Sequence, residues 1–263
     1  MLRPRIIPCL LIHEGGLVKT VGFGDPKYVG DPINAVKIFN EKESDELVVL
    51  DIDATANGAE PDFKTIAHLA AECRMPLCYG GGVRTPAQAK RIVGLGVEKV
   101  AISSAAVERP ELIAEIAAEV GRQSVVVVID VKKRRLLGGY EVWTHNGKRN
   151  TKLDPIGFAQ EMERQGAGEI VLNSIDNDGR MKGYDLALAE KLRAAVRIPI
   201  TLLGGAGSLQ DISAVIEKIG VVGVSAGSLF VFKGQFRAVL INYPQPDAKE
   251  TLVRSALAAR ASR

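Results

Sequence analysis

One stretch of this chain is written twice. Tyr79-Gly80-Gly81-Gly82, followed by Gly96-Val97-Glu98-Lys99-Val100-Ala101-Ile102-Ser103-Ser104, lies without a gap over Leu203-Gly204-Gly205-Ala206, followed by Gly220-Val221-Val222-Gly223-Val224-Ser225-Ala226-Gly227-Ser228. Residue 79 falls on residue 203 and residue 104 on residue 228, a constant offset of 124. The run Asp45–Asp53 lies in the same way over Gly168–Asp176, at an offset of 123. A repeat of this length constrains architecture more than local propensity does, because each copy folds into the same unit and the two units share one core.

Within each copy, short β-branched runs alternate with segments that carry apolar residues every three or four positions, the pattern of parallel βαβ units. Strands are expected at Arg5–Leu11, Glu46–Asp51, Pro76–Tyr79, Lys99–Ser103, Ser124–Asp130, Glu169–Ser174, Pro199–Leu203 and Val221–Ala226. Helices are expected at Asp31–Glu43, Asp62–Cys73, Pro86–Leu95, Pro110–Val120, Pro155–Gln165, Asp185–Val196 and Leu209–Ile219. Asp31-Pro32, Thr85-Pro86 and Asp154-Pro155 each set a capping side chain before a proline at the first helical position. A chain of 263 residues is close to the ~250 of a one-domain barrel. The expected fold class is α/β, a single (βα)8 TIM barrel built from two similar half-barrels.

Two segments stand outside the repeat. Residues 139–150 contain two short strand-like runs around Asn146-Gly147, the strongest hairpin dipeptide, and are expected to form a flap over the barrel mouth. The barrel itself is expected over residues 1–243, and 244–263 as an alanine- and charge-rich tail or loose helix. The Lys132-Lys133-Arg134-Arg135 run reads as a solvated loop. The net charge of +3 is too mild and scattered for nucleic acid, though it suits anionic ligands. Apolar runs such as Val125–Ile129 fall far short of the ~18 residues of a membrane span. The first residues lack a signal-peptide pattern, so a cytoplasmic protein is expected. Cys9, Cys73 and Cys78 have no CxxC spacing and suit reduced thiols. No grouping has metal-ligand spacing, and no cofactor is implied.

Barrel active sites lie at the C-terminal ends of the strands. Gly81 and Gly82 in the first half, and Gly205, Ala206 and Gly207 in the second, follow strands and let backbone N–H groups approach an anion. Ser103 and Ser104, and Ser225 and Ser228, end strands 4 and 8 and are expected to donate hydroxyls to the same two anions. One glycine-rich turn is often only a tight loop. Two symmetric copies with serine partners imply a ligand with phosphate at both ends.

Between these anchors fall Asp51, Asp130, Asp176 and Asp178, while Asp53 suits a capping role. Asp130 ends an apolar strand, so its carboxyl is expected to be partly desolvated and raised toward a general-acid value. Lys19, expected on the loop after strand 1, could neutralise a phosphate. His13 and His145 are weaker candidates, and His68 is structural. At the opposite face Arg5, Glu46, Lys99 and Glu169 begin strands 1, 2, 4 and 6. Such charges often serve only solubility; alternating signs on alternate strands would instead make a closed ring of ion pairs, which suggests a gate.

The runs Arg5-Ile6-Ile7-Pro8-Cys9-Leu10, Asp45-Glu46-Leu47, Tyr79-Gly80-Gly81-Gly82-Val83-Arg84-Thr85, Gly168-Glu169-Ile170, Asp176-Asn177-Asp178-Gly179, Gly183-Tyr184-Asp185 and Gly204-Gly205-Ala206-Gly207 resemble the HisF family, collinearly from about Arg5 to Lys233. HisF is the cyclase subunit of imidazole glycerol phosphate synthase. The resemblance implies a glutaminase partner of the HisH type, whose ammonia enters at Arg5, Glu46, Lys99 and Glu169 and reacts at the mouth with a bis-phosphate. It assigns Asp130 as one of two catalytic aspartates. The other aspartate's position is Leu11, and further departures are Ser103, Asn173, Arg180 and Leu203. Chains of this kind resemble the second HisF copies of surface-polysaccharide gene clusters, which implies ammonia supply to a third protein, an amidotransferase that builds an amidino sugar. The alternatives are an authentic cyclase subunit of histidine biosynthesis and, in another class, a non-catalytic phosphosugar-binding scaffold.

Overall fold

The structure is a computed structural model and describes residues 3–134, 138–234 and 236–262. Eight parallel strands form a closed ring: β1 (Arg5–His13), β2 (Leu47–Asp51), β3 (Leu77–Gly80), β4 (Lys99–Ile102), β5 (Val125–Lys133), β6 (Glu169–Ser174), β7 (Ile200–Leu203) and β8 (Gly223–Ala226). Each pairs with the next, and β8 returns to β1 with Arg5 opposite Gly223. Helices α1 (Pro32–Glu41), α2 (Phe63–Glu72), α3 (Pro86–Gly94), α4 (Leu112–Val120), α5 (Pro155–Gln165), α6 (Leu186–Ala195), α7 (Leu209–Ile219) and α8 (Pro246–Ala261) complete the (βα)8 barrel.

The expected caps are in place. Asp31 accepts from the Asn34 N–H at 2.8 Å and Asp154 from that of Gly157 at 2.7 Å. Thr85 and Gln88 form a reciprocal capping box. Strand side chains alternate between two cores, as a period of two requires. Ile6, Leu10, Val49 and Val127 face the helices, whereas Ile7, Cys9, Val48 and Val126 face the barrel axis.

Three features depart from the expectation. Lys19 is not on a loop: after β1 the chain turns back as a hairpin, Gly16–Val21 against Gly24–Gly30, and Lys19 sits in its first strand. Lys132 and Lys133 continue β5, which runs past the barrel rim and pairs antiparallel with Tyr140–Thr144; Arg135 lies outside the described residues. Residues 246–261 form a helix packed along α7, with Lys249, Val253 and Ala256 buried. The runs around Asn146-Gly147 form the Tyr140–Thr144 and Arg149–Asn150 hairpin. Among the described residues no helix is long and apolar enough to cross a membrane.

Candidate functional site

At the C-terminal end of the barrel, residues from all eight strand ends surround one cavity of about 160 Å³. A single water needs only ~10–15 Å³ on this measure, so a small organic ligand fits. Its two sides repeat one design. Gly81 and its repeat counterpart Gly205 have φ of +127° and +120°, while Gly82 at +74° follows the first and Gly204 at +92° precedes the second. These glycines are compulsory in shape as well as angle. A Cβ at Gly81 would lie 2.5 Å from the Asp51 carbonyl oxygen, and one at Gly205 would lie 2.1 Å from that of Gly183. Ser104 and Ser228 each open a helical turn at the same relative position in the repeat, and both line the cavity.

The acidic side chains fall into two groups. Asp130 sits at the centre: Oδ1 accepts from Asn173 Nδ2 at 2.8 Å and Oδ2 from the Ser103 hydroxyl at 3.3 Å. Burial outweighs these donors and pushes its carboxyl up to about 6. Asp178 accepts from the Thr20 hydroxyl at 2.7 Å and the Phe23 N–H at 3.2 Å, and burial raises it too. Asp51 lines the cavity with one oxygen bound to the N–H groups of Asp53 and Ala54, and burial raises its carboxyl. Lys19 reaches in from the first hairpin, donates to the Cys9 carbonyl, and is lowered by burial. Leu11, Leu50 and Leu203 complete the floor.

Three expected ligands turn elsewhere. The Ser225 hydroxyl donates to the Ile7 carbonyl at 3.0 Å, a layer below the mouth, and Ser225 does not line the cavity. The Gly207 N–H is taken by Asp211 at 2.8 Å in the cap of α7. Asp176 accepts from the Lys133 N–H at 2.7 Å and braces the hairpin root. Asp53 holds His13 at 2.7 Å and the Glu14 N–H at 2.7 Å, away from the cavity. The hairpin tip, by contrast, covers it. The His145 N–H donates to Ser104 Oγ at 3.2 Å, and Asn146 Nδ2 donates to the Ile52 carbonyl at 2.7 Å. Trp143 stands opposite Asp130 in the β5–hairpin pair, with Lys132 Nζ 5.1 Å from its ring, and its buried indole Nε1 has no partner among the described residues. Thr20 and the hairpin carrying Lys19 could have been sought in the glycine turns at Gly15 and Gly22, which bracket the short strand Gly16–Val21.

At the other end of the barrel, four charges close a ring. Lys99 Nζ bonds Glu46 at 2.8 Å and Glu169 at 2.9 Å, and Arg5 bonds Glu169 at 2.7 Å and, through its other nitrogen, Glu46. Glu46 and Glu169 are each only 4% exposed. Burial opposes the charge on Glu169, but Lys99 and Arg5 outweigh it and hold its carboxyl below the usual range. Burial likewise opposes the cations, yet the two glutamates leave Arg5 and Lys99 raised. Thr201, which the sequence reading missed, donates to Glu169. A Cβ at Gly223 would lie 1.8 Å from the Thr201 hydroxyl oxygen, so the ring closes only around a glycine.

Between ring and cavity, the shaft of the barrel is packed with apolar side chains. Ile7, Cys9, Val48, Cys78, Ala101 and Val126 belong to an interior cluster that meets Leu11, Leu50 and Leu203 above. Burial raises the Cys9 thiol to about 11 and pushes the Cys78 thiol well above its ordinary value, so both stay neutral and the shaft is uncharged.

Fold and site together define a duplicated (βα)8 barrel with paired glycine turns at its mouth and a closed ion-pair ring at its base. Residues 5–237 match the profile of a family described as histidine biosynthesis protein. The chain is 57% identical over 250 residues to a Vibrio vulnificus (strain YJ016) protein provisionally named imidazole glycerol phosphate synthase subunit hisF3, covering 95% of this chain and 96% of that one. It is 54% identical over 244 residues to a Pseudomonas aeruginosa relative with the provisional name hisF2, covering 93% and 97%. Identity is 42% over 232 residues to the imidazole glycerol phosphate synthase subunit HisF of Hyphomonas neptunium, covering 88% and 91%. The chain belongs to the HisF family of histidine biosynthesis proteins.

Proposed function

We propose that this chain is the ammonia-receiving subunit of a glutamine amidotransferase pair, with a HisH-like glutaminase docked on the face that carries Arg5, Glu46, Lys99 and Glu169. The observation that carries the reading is the stack along one axis of a charged ring, an uncharged shaft and a cavity with paired glycine turns. Ammonia is neutral and crosses an apolar shaft readily, whereas ammonium would carry the desolvation cost of a bare charge. A scaffold that only binds phosphosugars gains nothing from such a ring, whose burial is costly unless every charge is paired.

At the mouth, a phosphorylated acceptor spans the cradle of Gly81, Gly82 and Ser104 and that of Gly205, Ala206 and Ser228, with Ser103, Lys19, Asp51 and Asp178 around its middle. Asp130 is held where it can give or take one proton near neutral pH. Across the floor Leu11 can take none, and a general acid or base contributes typically 10²–10⁴-fold. The standard cyclase–lyase reaction is therefore impaired, and ammonia passes to a different phosphorylated acceptor or to a third protein, an amidotransferase of amidino-sugar and surface-polysaccharide synthesis. A second reading, an authentic imidazole glycerol phosphate synthase cyclase in which Asp130 alone suffices, is favoured by the Hyphomonas relative and by the raised Asp130 carboxyl at the centre of the cavity.

Two assays decide. The purified chain should raise glutamine hydrolysis by its cognate glutaminase. Given ammonium salts and the bis-phosphate intermediate of histidine synthesis, it should turn over far below an ordinary cyclase subunit. Full cyclase turnover would establish the second reading instead. No complex on gel filtration and no stimulation would remove both.

A further inference from the structure

The stagger of the barrel leaves the root of β1 short of partners. β1 pairs with β2 only from Cys9 onward, so toward β2 the backbone groups of Ile6 face no strand. Side chains fill the gap. The Ile6 N–H donates to Asp45 Oδ2 at 2.9 Å, and the Ile6 carbonyl accepts from the Tyr243 hydroxyl at 2.8 Å. Asp45 Oδ1 accepts from Lys249 Nζ at 2.8 Å and from Arg3 Nη2 at 3.0 Å. Lys249, on α8 and 7% exposed, also donates to the Glu43 carbonyl at 2.8 Å. Ile6 and Asp45 are the chain neighbours of Arg5 and Glu46, which pair directly in the ring.

We propose that Lys249 is a positioning residue for the ring: through Asp45, and beside Tyr243, it fixes the Arg5–Glu46 side. Both residues lie beyond the stretch that matches the family, residues 5–237. The inference rests on reading the ring as a gate. Without Lys249, the only ion-pair partner Asp45 keeps is Arg3, whose side chain is 57% exposed and whose pairing is correspondingly weak. The Ile6 N–H then shares its acceptor with water, and the backbone that aims Arg5 loosens. Docking of α8 as such has a separate anchor at its far end, where Arg260 donates to the Glu217 and Lys218 carbonyls at the end of α7. Clamp and packing can therefore be told apart.

The test compares the full chain with Lys249→Met, Lys249→Arg and Arg260→Met, by amide hydrogen exchange of residues 3–10 and by NMR of the Arg5 guanidinium. Lys249→Met is expected to speed exchange at Ile6 about tenfold and to shift Arg5, since a bond to a charged acceptor is lost. Lys249→Arg should restore both. Arg260→Met should loosen only the 246–261 helix. Unchanged Ile6 and Arg5 signals in Lys249→Met, or equal disturbance by Arg260→Met, would reduce Lys249 to ordinary packing. If Lys249→Met does not fold, Asp45→Asn removes the charge that Lys249 holds, with the same two outcomes. Should Arg5 shift as expected while glutamine-driven ammonia transfer is untouched, the clamp stands and the gate reading fails.

Discussion

Replacing Lys99 by Met keeps most of the side-chain stem and removes one charge of four. Glu46 and Glu169 would then share Arg5 alone while remaining buried. Breaking a buried ion pair costs ~3–5 kcal/mol. The lower end applies here, because Arg5 still reaches both carboxylates and Thr201 still holds Glu169. About 3 kcal/mol corresponds to a fall in Tm of roughly 6–12 °C for a chain of this size. The pH dependence gives a sharper signature. In the native ring the Glu169 carboxyl is held low, so its contribution is present above the unfolded value of ~4.3 and is lost only as pH falls through the folded one. In Lys99→Met the same buried carboxyl should rise above its unfolded value. Its contribution is then fullest in acid and is lost as pH rises through the folded pKa. The deficit against the native chain should therefore widen between about pH 4 and pH 7. Thermal unfolding followed by circular dichroism at several pH values reads this directly. A variant that melts within about 1 °C of the native chain, with no pH trend, would mean that these charges are merely solvated, and the ring argument would fail.

Three further outcomes are expected. Leu11→Asp should raise ammonia-dependent cyclase turnover measurably above the native chain; no gain, with the fold intact, would locate the block at Ser103, Asn173 or Arg180 instead. Crystals soaked in phosphate should show one anion beside Gly82 and Ser104 and another beside Gly205 and Ser228; Gly205→Ala, whose Cβ would lie 2.1 Å from the Gly183 carbonyl oxygen, should abolish the second anion and spare the first. Asp130→Asn should stabilise the fold at pH 8 by up to about 3 kcal/mol and not at pH 4, because a carboxyl raised to about 6 contributes stability only below its unfolded value and loses it as pH rises; equal melting temperatures at pH 8 would refute the desolvated site.

The barrel was legible because its cause is periodic. The repeat, the alternating strand runs and the proline-marked caps each specify an element without reference to distant partners. The ring was legible for the same reason: Arg5, Glu46, Lys99 and Glu169 occupy equivalent positions at strand starts, so closing the barrel brings them together. Individual ligands were less so. Three residues separate Ser225, whose hydroxyl donates to the Ile7 carbonyl a layer below the mouth, from Ser228, which lines the cavity just past the end of the strand. Asp176 and Asp178 differ in the same way, one bracing Lys133 and the other facing the cavity. Gly207 looked like a ligand until the cap of α7 claimed its N–H. Thr201 and Lys249 were invisible because their importance lies wholly in partners far along the chain, Glu169 and Asp45.

Trp143 is the chain's single tryptophan, and it stands across the strand pair from the carboxyl at the centre of the cavity. Its emission therefore comes from one known place. An indole whose N–H has no partner is sensitive to any water, ion or dipole that later approaches it, and Lys132 already lies over its ring. The single tryptophan thus offers an optical gauge one strand away from Asp130: a change of charge on Asp130 is expected to shift its emission in the unlabelled chain, read by fluorescence across the pH range.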